Sequence, residues 1–302
     1  MSRIVIAHGG VDVPLTRAYQ ATVERAALAG AAALAQGRLD AVEATIRIME
    51  DDPAFNAGSG SVLNRDGVVE MDALIIDGVS GKAGAVAAIQ RVANPISVAR
   101  RILDATPHVL LAGAGASLFA REQGFPAADC ETEAQRAAWQ RMRECGSLSE
   151  LGLNPFTGQP DPTGALDTVG CVARTDDGTA AGVSTGGLFF KHPGRIGDSA
   201  IVGAGAYAAR AGAVACSGLG EAFHELLLAE RIGSLLQEVH PQRVVEDALH
   251  YLWEQRQGVG GVIAVDAHGR IGIAHNGRSL AAAVVIDGQP IAVVPVKLAT
   301  GS

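Results

Sequence analysis

The sequence predicts a mixed α+β fold in which packed sheets are covered by helices. Strand-like runs open and close the chain, and alanine-rich patterns with helical spacing lie between them. The chain has 302 residues, 48% of them hydrophobic, so it can bury a substantial core in one large domain or two small ones. Periodicity alone favours α/β or α+β and leaves the order of the layers open.

Composition narrows the function classes. The formal net charge is −8 and no long basic run is present, which argues against a nucleic-acid or anionic-membrane partner. No apolar run reaches the roughly 18 residues expected of a transmembrane helix. The chain enters a strand without a signal-peptide pattern, and Cys130, Cys145, Cys171 and Cys216 form no Cys-x-x-Cys pair. We therefore expect a cytoplasmic protein with reduced thiols.

The first half of the chain alternates strands and helices. Residues 3–7 read as a buried strand that ends in His8-Gly9-Gly10, and residues 16–36 read as a helix with Gly37 as its C-cap. A second helix, capped by Asp40, is expected to cover the same face of a sheet. The other expected elements are strands at 68–77, 83–90 and 108–112 and a helix at 94–102.

The second half begins with a looser segment. Residues 124–167, which include a polar helix at 132–144 and a Pro- and Gly-marked stretch, are the expected flexible linker. Beyond residue 187 the expected elements are a strand at 213–215, helices at 221–237 and 241–257, and strands at 259–265, 270–275, 281–286 and 291–296.

Two glycine-rich stretches imitate a dinucleotide-binding turn. They lie at residues 111–118 and 203–208. The first has Leu118 where the third glycine belongs, and both lack a following strand with a terminal acid. A nicotinamide-dependent oxidoreductase is therefore the last of the alternatives.

The central stretch of the chain predicts a hairpin with a threonine at its start. Two apolar runs flank a turn at residues 176–178 (Asp-Asp-Gly), and Thr168 opens the first run. Cleavage of the Asp167–Thr168 bond would leave Thr168 with a free α-amine beside its hydroxyl, a base and a nucleophile in one residue. A lone threonine in such a place is far more often an ordinary strand residue, so the prediction depends on its neighbours.

Further motifs follow the same order as in one known family. They are Asp-Thr-Val-Gly at 167–170, Ser-Thr-Gly-Gly at 184–187, His-Pro-Gly-Arg-Ile-Gly-Asp at 192–198, and Phe-Asn-Ala-Gly-Ser-Gly-Ser-Val-Leu-Asn at 55–64. Together they resemble the plant-type asparaginase and isoaspartyl peptidase family of N-terminal-nucleophile hydrolases. The resemblance covers nearly the whole chain and weakens at 124–166 and after His275.

The resemblance implies a four-layer αββα sandwich, one domain cleaved into residues 1–167 and 168–302. It implies Thr168 as nucleophile, and Thr185 as the neighbour that orients it. It also implies an oxyanion hole from the Ser217 hydroxyl and the Gly218 N–H. The remaining implied site residues are Asn56 near the nucleophile, Arg195 and Asp198 for the substrate's α-carboxylate and α-ammonium, and Gly218 and Gly220 along the substrate.

The family's cation loop also has a counterpart. The implied ligands of a structural sodium ion are the main-chain carbonyls of Met49, Glu50, Asp52, Phe55, Ala57 and Ser59. Oxygen-only ligation suits a hard cation. No cofactor is expected for catalysis.

The chain departs from the family pattern at three places. Val11-Asp12 follow His8-Gly9-Gly10 where relatives have a small residue and a glycine. Ser217 replaces a threonine, with the apolar Leu219 nearby, and residues 275–278 (His-Asn-Gly-Arg) replace a Phe-Asn-Thr pattern on the leaving-group side. We expect His275 to pack or to form a hydrogen bond rather than to catalyse.

The expected activity is hydrolysis of L-asparagine and β-aspartyl dipeptides by a dimer of cleaved heterodimers. Glycosylasparaginase-like or threonine-aspartase-like specificity on the same fold is an alternative, although Asp198 stands where the aspartase branch lacks an acid. An uncleaved, non-catalytic homologue that serves as a binding or scaffold protein is the alternative from a different class.

Overall fold

A computed structural model of the chain describes residues 2–13, 15–145 and 168–299. The fold is α+β, as predicted, with two sheets flanked by helices. The helices are α1 Arg17–Ala33, α2 Arg38–Glu50, α3 Pro95–Ala105, α4 Gly113–Glu122, α5 Glu133–Cys145, α6 Gly220–Leu226, α7 Leu228–Leu235 and α8 Pro241–Arg256, with a 3₁₀ turn at Gly58–Gly60. The strands are β1 Ile4–Val11, β2 Met71–Asp77, β3 Ala83–Ile89, β4 Leu110–Ala112, β5 Val169–Thr175, β6 Gly178–Thr185, β7 Ala206–Ala209, β8 Gly212–Gly218, β9 Gly260–Asp266, β10 Ile271–His275, β11 Leu280–Ile286, β12 Gln289–Ile291 and β13 Val296–Lys297.

The strands form a large sheet and a small one. The eight-stranded sheet has the order β12-β11-β1-β5-β6-β2-β3-β4, and the five-stranded sheet has the order β13-β10-β9-β8-β7. In the large sheet β5 lies between β1 and β6 and pairs antiparallel with both. The predicted hairpin is therefore confirmed, and its first strand is central in the sheet.

Hydrophobic side chains are buried on both faces of the large sheet. In β1, Val5 belongs to the core shared with α1, α2 and α3, whereas Ile6 belongs to the core shared with the small sheet. A third core joins the small sheet to α6, α7 and α8 through residues such as Phe223 and Leu249. Since every residue of β1 is buried, the strand reads as a continuous apolar run rather than an alternating one.

Several predicted elements are confirmed with shifted ends, and two are wrong. The helix predicted at 221–237 is two helices, because Leu227 adopts a left-handed backbone conformation with φ of 46° between α6 and α7. The strand predicted at 291–296 is also two elements, since β12 pairs with β11 in the large sheet and β13 pairs with β10 in the small one. Strand β7 begins in the glycine-rich stretch at 203–208 and ends at Ala209, where the sequence predicts no strand.

Part of the expected linker is packed against the large sheet's loops. Met142 of α5 contacts Val62 and Phe189, and Trp139 donates from Nε1 to the Asn64 carbonyl at 3.0 Å. The rest of that segment, residues 146–167, lies outside the described residues, and so does Asp167 of the predicted cleavage site. Across the described helices, none combines the length and apolar character that a membrane crossing requires.

Candidate active site

The nucleophile candidate Thr168 lies at the start of β5, beside the end of β6. Val169 faces Ser184 in this antiparallel pair, so the register places Thr168 opposite Thr185. Thr168 is 6% exposed and Thr185 is 5% exposed, so both lie in an enclosed region. Strand pairing thus brings together two of the residues that the sequence predicts for the site.

Asn56 lies next to the end of β6 and binds its backbone. Its Nδ2 donates to the Gly187 carbonyl at 2.7 Å, and its own carbonyl accepts from the Gly186 N–H at 2.8 Å. Thr185 Oγ1 accepts from the Gly187 N–H at 3.0 Å. Asn56 therefore fixes the turn that follows Thr185, and its direct role toward a substrate stays a prediction.

The His-Gly-Gly segment of β1 runs along the other side of β5. His8 pairs with Gly170, where an added Cβ would lie 2.2 Å from the ring Nε2. Complete burial lowers the pKa of His8 to about 3, an effect that the Thr168 backbone partly opposes. The imidazole is therefore neutral at physiological pH. The residue at position 170 has to be glycine for this ring to fit.

The oxyanion candidates Ser217 and Gly218 lie at the end of β8. They pair with Gly261 and Gly260 of β9. Ser217 is fully buried, and its Oγ accepts a hydrogen bond from the Val11 N–H at 3.1 Å. The structure therefore places the Ser217 side chain at the junction of the two sheets.

Arg195 is held by a carboxylate that the sequence analysis did not single out. Its Nε and Nη2 donate to the two oxygens of Glu221 at 2.8 and 2.7 Å. Although burial opposes it, the hydrogen bond and charge of Arg195 lower the pKa of Glu221 below its ordinary value. Gly197 lies against the guanidinium group, since an added Cβ there would be 3.0 Å from Nη1, 3.1 Å from Nη2 and 3.2 Å from Cζ. Glu221 binds the Nε and Nη2 edge, and Nη1 lies near Gly187, where an added Cβ would be 3.3 Å from it.

Asp198 and Arg195 both border Gly220. A Cβ added to Gly220 would lie 2.8 Å from Arg195 Nη2 and 3.0 Å from Asp198 Oδ1. Within the described residues, Asp198 Oδ2 is buried and has no hydrogen-bond partner. Burial raises the pKa of Asp198 to about 7, with the Arg195 charge acting in the opposite direction. A cationic edge and an unsatisfied carboxylate oxygen suit the two charged groups of an amino acid.

Two further charged side chains, Lys191 and Asp72, lie near Arg195. Lys191 is 5% exposed and donates from Nζ to the Glu70 carbonyl at 2.9 Å. Burial lowers the pKa of Lys191, and the nearby Asp72 charge opposes this shift. Asp72 pairs with Thr185 across β2 and β6, so these charges reach the nucleophile candidate's neighbour.

The predicted cation loop folds back on its own carbonyls. A Cβ on Gly58 would lie 2.3 Å from the Glu50 carbonyl oxygen, and one on Gly60 would lie 2.0 Å from that of Phe55. The carbonyls of Met49, Asp52 and Ala57 accept backbone N–H groups at 3.1 to 3.3 Å. Main-chain oxygens of this kind suit a hard cation. No group of three His, Cys, Asp or Glu side chains suited to a metal occurs in residues 2–13, 15–145 and 168–299.

Sequence reasoning missed Glu221 and the contacts of Asp12. Glu221 was visible only as an acid in the first turn of a helix, a common and uninformative position. Asp12 has φ of 60°, and its Oδ1 accepts from the Arg278 N–H at 2.5 Å. The signal for Asp12 was its place after His8-Gly9-Gly10, where the resemblance leads us to expect a glycine, since both residues tolerate a left-handed backbone. His275, as expected, is buried, and its Nδ1 forms a hydrogen bond with the Gly277 carbonyl at 3.0 Å.

Sequence comparisons with known proteins match most of the chain. The family Asparaginase_2, described as Asparaginase, matches residues 1–294. A plant-type L-asparaginase from Pyrococcus abyssi is 42% identical over 273 residues, which cover 88% of this chain and 90% of the relative.

Relatives named as isoaspartyl peptidases match over similar lengths. An isoaspartyl peptidase/L-asparaginase from Xenopus laevis is 41% identical and covers 89% of this chain and 87% of its own. An isoaspartyl peptidase from Salmonella typhimurium is 39% identical, with 80% of this chain and 79% of the relative covered.

Proposed function

The chain belongs to the asparaginase and isoaspartyl peptidase family of hydrolases, and from this membership we propose that it is an autoprocessing threonine amidohydrolase. Its proposed substrates are L-asparagine, which yields L-aspartate and ammonia, and β-aspartyl dipeptides. The proposed fold is the four-layer αββα sandwich of N-terminal-nucleophile hydrolases. The proposed assembly is a dimer of cleaved heterodimers of residues 1–167 and 168–302.

The observation that carries this proposal is the pair of charged side chains beside Gly220. Arg195 Nη2 and Asp198 Oδ1 border that glycine, and the other oxygen of Asp198, Oδ2, is buried without a hydrogen-bond partner within the described residues. An aspartyl group with a free α-carboxylate and a free α-ammonium satisfies both. A protein-interior aspartate has neither free group, which favours a small substrate over the threonine-aspartase-like alternative.

The proposed chemistry starts when the Asp167–Thr168 bond is cut. The Thr168 hydroxyl then attacks the side-chain carbonyl carbon of the substrate while the new α-amine takes the hydroxyl proton. The oxyanion that forms accepts hydrogen bonds from the Ser217 hydroxyl and the Gly218 N–H. One such donor is typically worth about 3 kcal/mol in the transition state.

The second half of the reaction releases the products. The protonated α-amine returns its proton to the leaving nitrogen, which departs as ammonia or as the amino group of the dipeptide's second amino acid. Water then attacks the β-aspartyl ester on Thr168, with the α-amine again as base, and L-aspartate leaves. Thr185, opposite Thr168 in the strand register, is the proposed orienting neighbour.

A sodium ion is proposed for structure and not for these steps. The carbonyl oxygens of the 49–59 loop would hold it, and a bound ion would offset their mutual repulsion. Its effect on the site would pass through Asn56, whose amide binds Gly187 after Thr185.

The decisive test is the intact mass of the purified protein. We expect two species, residues 1–167 and 168–302, in the wild type and a single 30.8 kDa species for Thr168→Ala. Thr175→Ala is the matched control, because Thr175 lies at the far end of the same strand. A wild-type chain that stays at full length after long incubation would favour the non-catalytic alternative.

Substrate assays then separate the specificities. L-asparagine, β-aspartyl dipeptides and glycosylated asparagine are compared with the cleaved protein at equal concentration. Turnover of the first two with none of the third supports the proposal. Turnover of the glycosylated substrate alone contradicts it.

A further inference from the structure

Three stretches that are far apart in the sequence meet in one place. They are Val11-Asp12, Ser217 and residues 275–278, where the sequence analysis expects departures from the resembled family. The Val11 N–H donates to Ser217 Oγ at 3.1 Å, and Asp12 Oδ1 accepts from the Arg278 N–H at 2.5 Å. Substitutions that touch one another are expected to depend on one another.

Asp12 ties the end of β1 to the β10–β11 loop (residues 276–279). Its N–H donates to the Ser279 carbonyl at 2.9 Å, while its Oδ1 accepts from the Arg278 N–H. A Cβ on Gly277 would lie 2.3 Å from that same oxygen, so this position is glycine because the carboxylate occupies the space. Ser279 Oγ adds a bond to the Val13 carbonyl at 2.6 Å. The backbone on both sides of Asp12 is therefore fixed to the loop.

The same loop also supports the strand next to Ser217. Asn276 Oδ1 accepts from the Gly260 N–H at 2.7 Å, and its Nδ2 donates to the Gly258 carbonyl at 2.9 Å. Ser217 pairs with Gly261 of that strand, and a Cβ on Gly261 would lie 3.4 Å from the Val11 Cβ. The loop thus sets the position of Val11 relative to Ser217 from both sides.

A serine side chain in an oxyanion hole is less restricted in its rotation about χ1 than a threonine side chain. The β-branch of threonine restricts χ1, whereas the serine hydroxyl rotates more freely. A donor that binds one lone pair of the oxygen restricts this rotation. The Val11 N–H is such a donor, and Ser217 is fully buried around it.

We propose that Asp12 is a positioning residue for the oxyanion hole. By fixing the backbone at Val11 it holds the Val11 N–H against Ser217 Oγ and so orients the hydroxyl that threonine orients by its branch. This inference rests on the proposed amidohydrolase function, and it assigns to Asp12 a role in the transition state without contact to the substrate.

The test is a double-mutant cycle between Asp12 and Ser217. We expect Asp12→Ala to lower kcat about tenfold with little change in KM, since the oxyanion forms only in the transition state. In the Ser217→Thr background the same change should cost less than about threefold, because the branched side chain no longer needs the donor. All rates are divided by the cleaved fraction measured by intact mass.

The chain offers a matched control at the other end of β1. Asp287 also has a positive φ, 50°, and its Oδ1 accepts from the Arg3 N–H at 2.7 Å while its N–H donates to the Arg3 carbonyl. Asp287→Ala therefore removes the same kind of bond and adds the same backbone strain, far from Ser217. We expect it to lower the melting temperature as Asp12→Ala does and to leave kcat unchanged.

Three further variants keep the test decisive if Ser217→Thr fails to fold. Asp12→Asn retains an acceptor oxygen and should lose less kcat than Asp12→Gly, which relieves the strain and removes the acceptor. In the Ser217→Ala background, Asp12→Ala should have no further effect on kcat because the hydroxyl is gone.

The outcomes separate the two proposals. Equal losses of kcat from Asp12→Ala in the wild-type and Ser217→Thr backgrounds, or an equal loss from Asp287→Ala, would overturn the positioning role alone. A cleaved wild-type protein that turns over neither asparagine nor β-aspartyl dipeptides would overturn the proposed function and the positioning role with it.

Discussion

In the nucleophile half of the site Thr185 has a strand neighbour on each side, whereas in the oxyanion half Ser217 and Gly218 pair with one strand and side chains that bridge separate elements supply further contacts. We define the nucleophile half as Thr168, Thr185 and the turn at 186–187, and the oxyanion half as Ser217, Gly218 and the β10–β11 loop. In the first, Val169–Ser184 and Asp72–Thr185 are neighbours in continuous antiparallel ladders. In the second, the bonds run from Asp12, Asn276 and Ser279 side chains to backbone groups.

This difference affects how each half of the site tolerates substitutions. A ladder position is fixed by backbone groups on both sides, and a slip of one residue would turn every side chain to the wrong face. Hydrogen bonds made by side chains can be replaced by different ones if the residues that make them are substituted together. The nucleophile half accordingly carries motifs on which the resemblance depends, and the oxyanion half carries Val11-Asp12, Ser217 and 275–278, where the sequence analysis expects departures.

The largest expected effect tests whether pairing alone is enough in the nucleophile half. Thr185→Val keeps the shape but removes the hydroxyl opposite Thr168, which also accepts from the Gly187 N–H. We expect kcat to fall about 10²–10⁴-fold, the range for loss of a group that assists proton transfer. Turnover kinetics of the cleaved protein measure this, and Thr185→Ser should recover most of the loss.

Thr179→Val is the control on the same strand, because its hydroxyl bonds to the Ala209 carbonyl away from Thr168. If Thr185→Val keeps kcat within about threefold of the wild type, a cost far below the general acid–base range, strand pairing would suffice to orient the nucleophile.

The next prediction tests the oxyanion half directly. Ser217→Ala removes one donor, so we expect kcat to fall about 10²–10³-fold with KM nearly unchanged. Steady-state assays with L-asparagine as the substrate give both kcat and KM. A rise in KM with an unchanged kcat would instead place Ser217 in ground-state binding.

Most of the nucleophile half could be predicted from residues near one another in the sequence. The hairpin, its turn at Asp176-Asp177 and the start at Thr168 all follow from local apolar runs and turn residues. Position by position, the resemblance then supplies Thr185, Arg195 and Asp198 as expectations.

The resemblance also supplies Ser217 and Gly218, but the contacts of Asp12 in the oxyanion half could not be predicted because they are long-range and individually ordinary. Asp12 and Arg278 are separated by 266 positions, and the bond joins a common side chain to a backbone N–H. Leu227 shows the same limit in the fold, since apolar spacing continues through it and no Gly or Pro marks the left-handed break between α6 and α7. Local patterns contain no information on such sites.

A smaller effect concerns the Arg195–Asp198 pair, which lies between the two halves. Burial raises the pKa of Asp198 to about 7 in the free protein, so below pH 7 the carboxyl is protonated and cannot pair with a substrate ammonium. We expect kcat/KM to fall up to about tenfold per pH unit below 7, whereas kcat should not show this step because bound ammonium keeps Asp198 ionised. The Thr168 α-amine would titrate in both constants, which distinguishes it from Asp198.

The melting temperature of Asp198→Asn as a function of pH tests the same raised pKa. A carboxyl with a raised native pKa binds a proton that the unfolded chain releases, so it destabilises the fold as pH rises from about 4 to 7. The variant should therefore melt higher than the wild type at pH 8 and equally at pH 4, while losing substrate affinity. A variant that melts lower at pH 8 would mean that the ionised form is stabilised by a partner.

The smallest expected effect tests whether the nucleophile half depends on more than its ladders. Asn56 links the cation loop to the turn after Thr185. If the loop binds sodium, replacing choline chloride by sodium chloride at equal ionic strength should raise the melting temperature. An ion at a hundred times its Kd contributes about 2.7 kcal/mol, which corresponds to a rise of several degrees.

Two glycines with positive φ give matched variants for this experiment. A Cβ on Gly58 would lie 2.3 Å from the Glu50 carbonyl, so Gly58→Ala fills the cradle, whereas a Cβ on Gly81 meets nothing within 4 Å. Both substitutions strain the backbone, and only Gly58→Ala should abolish the difference between sodium and choline. If Gly81→Ala abolishes it as well, the ion acts on general stability and the nucleophile half is held by its strands alone.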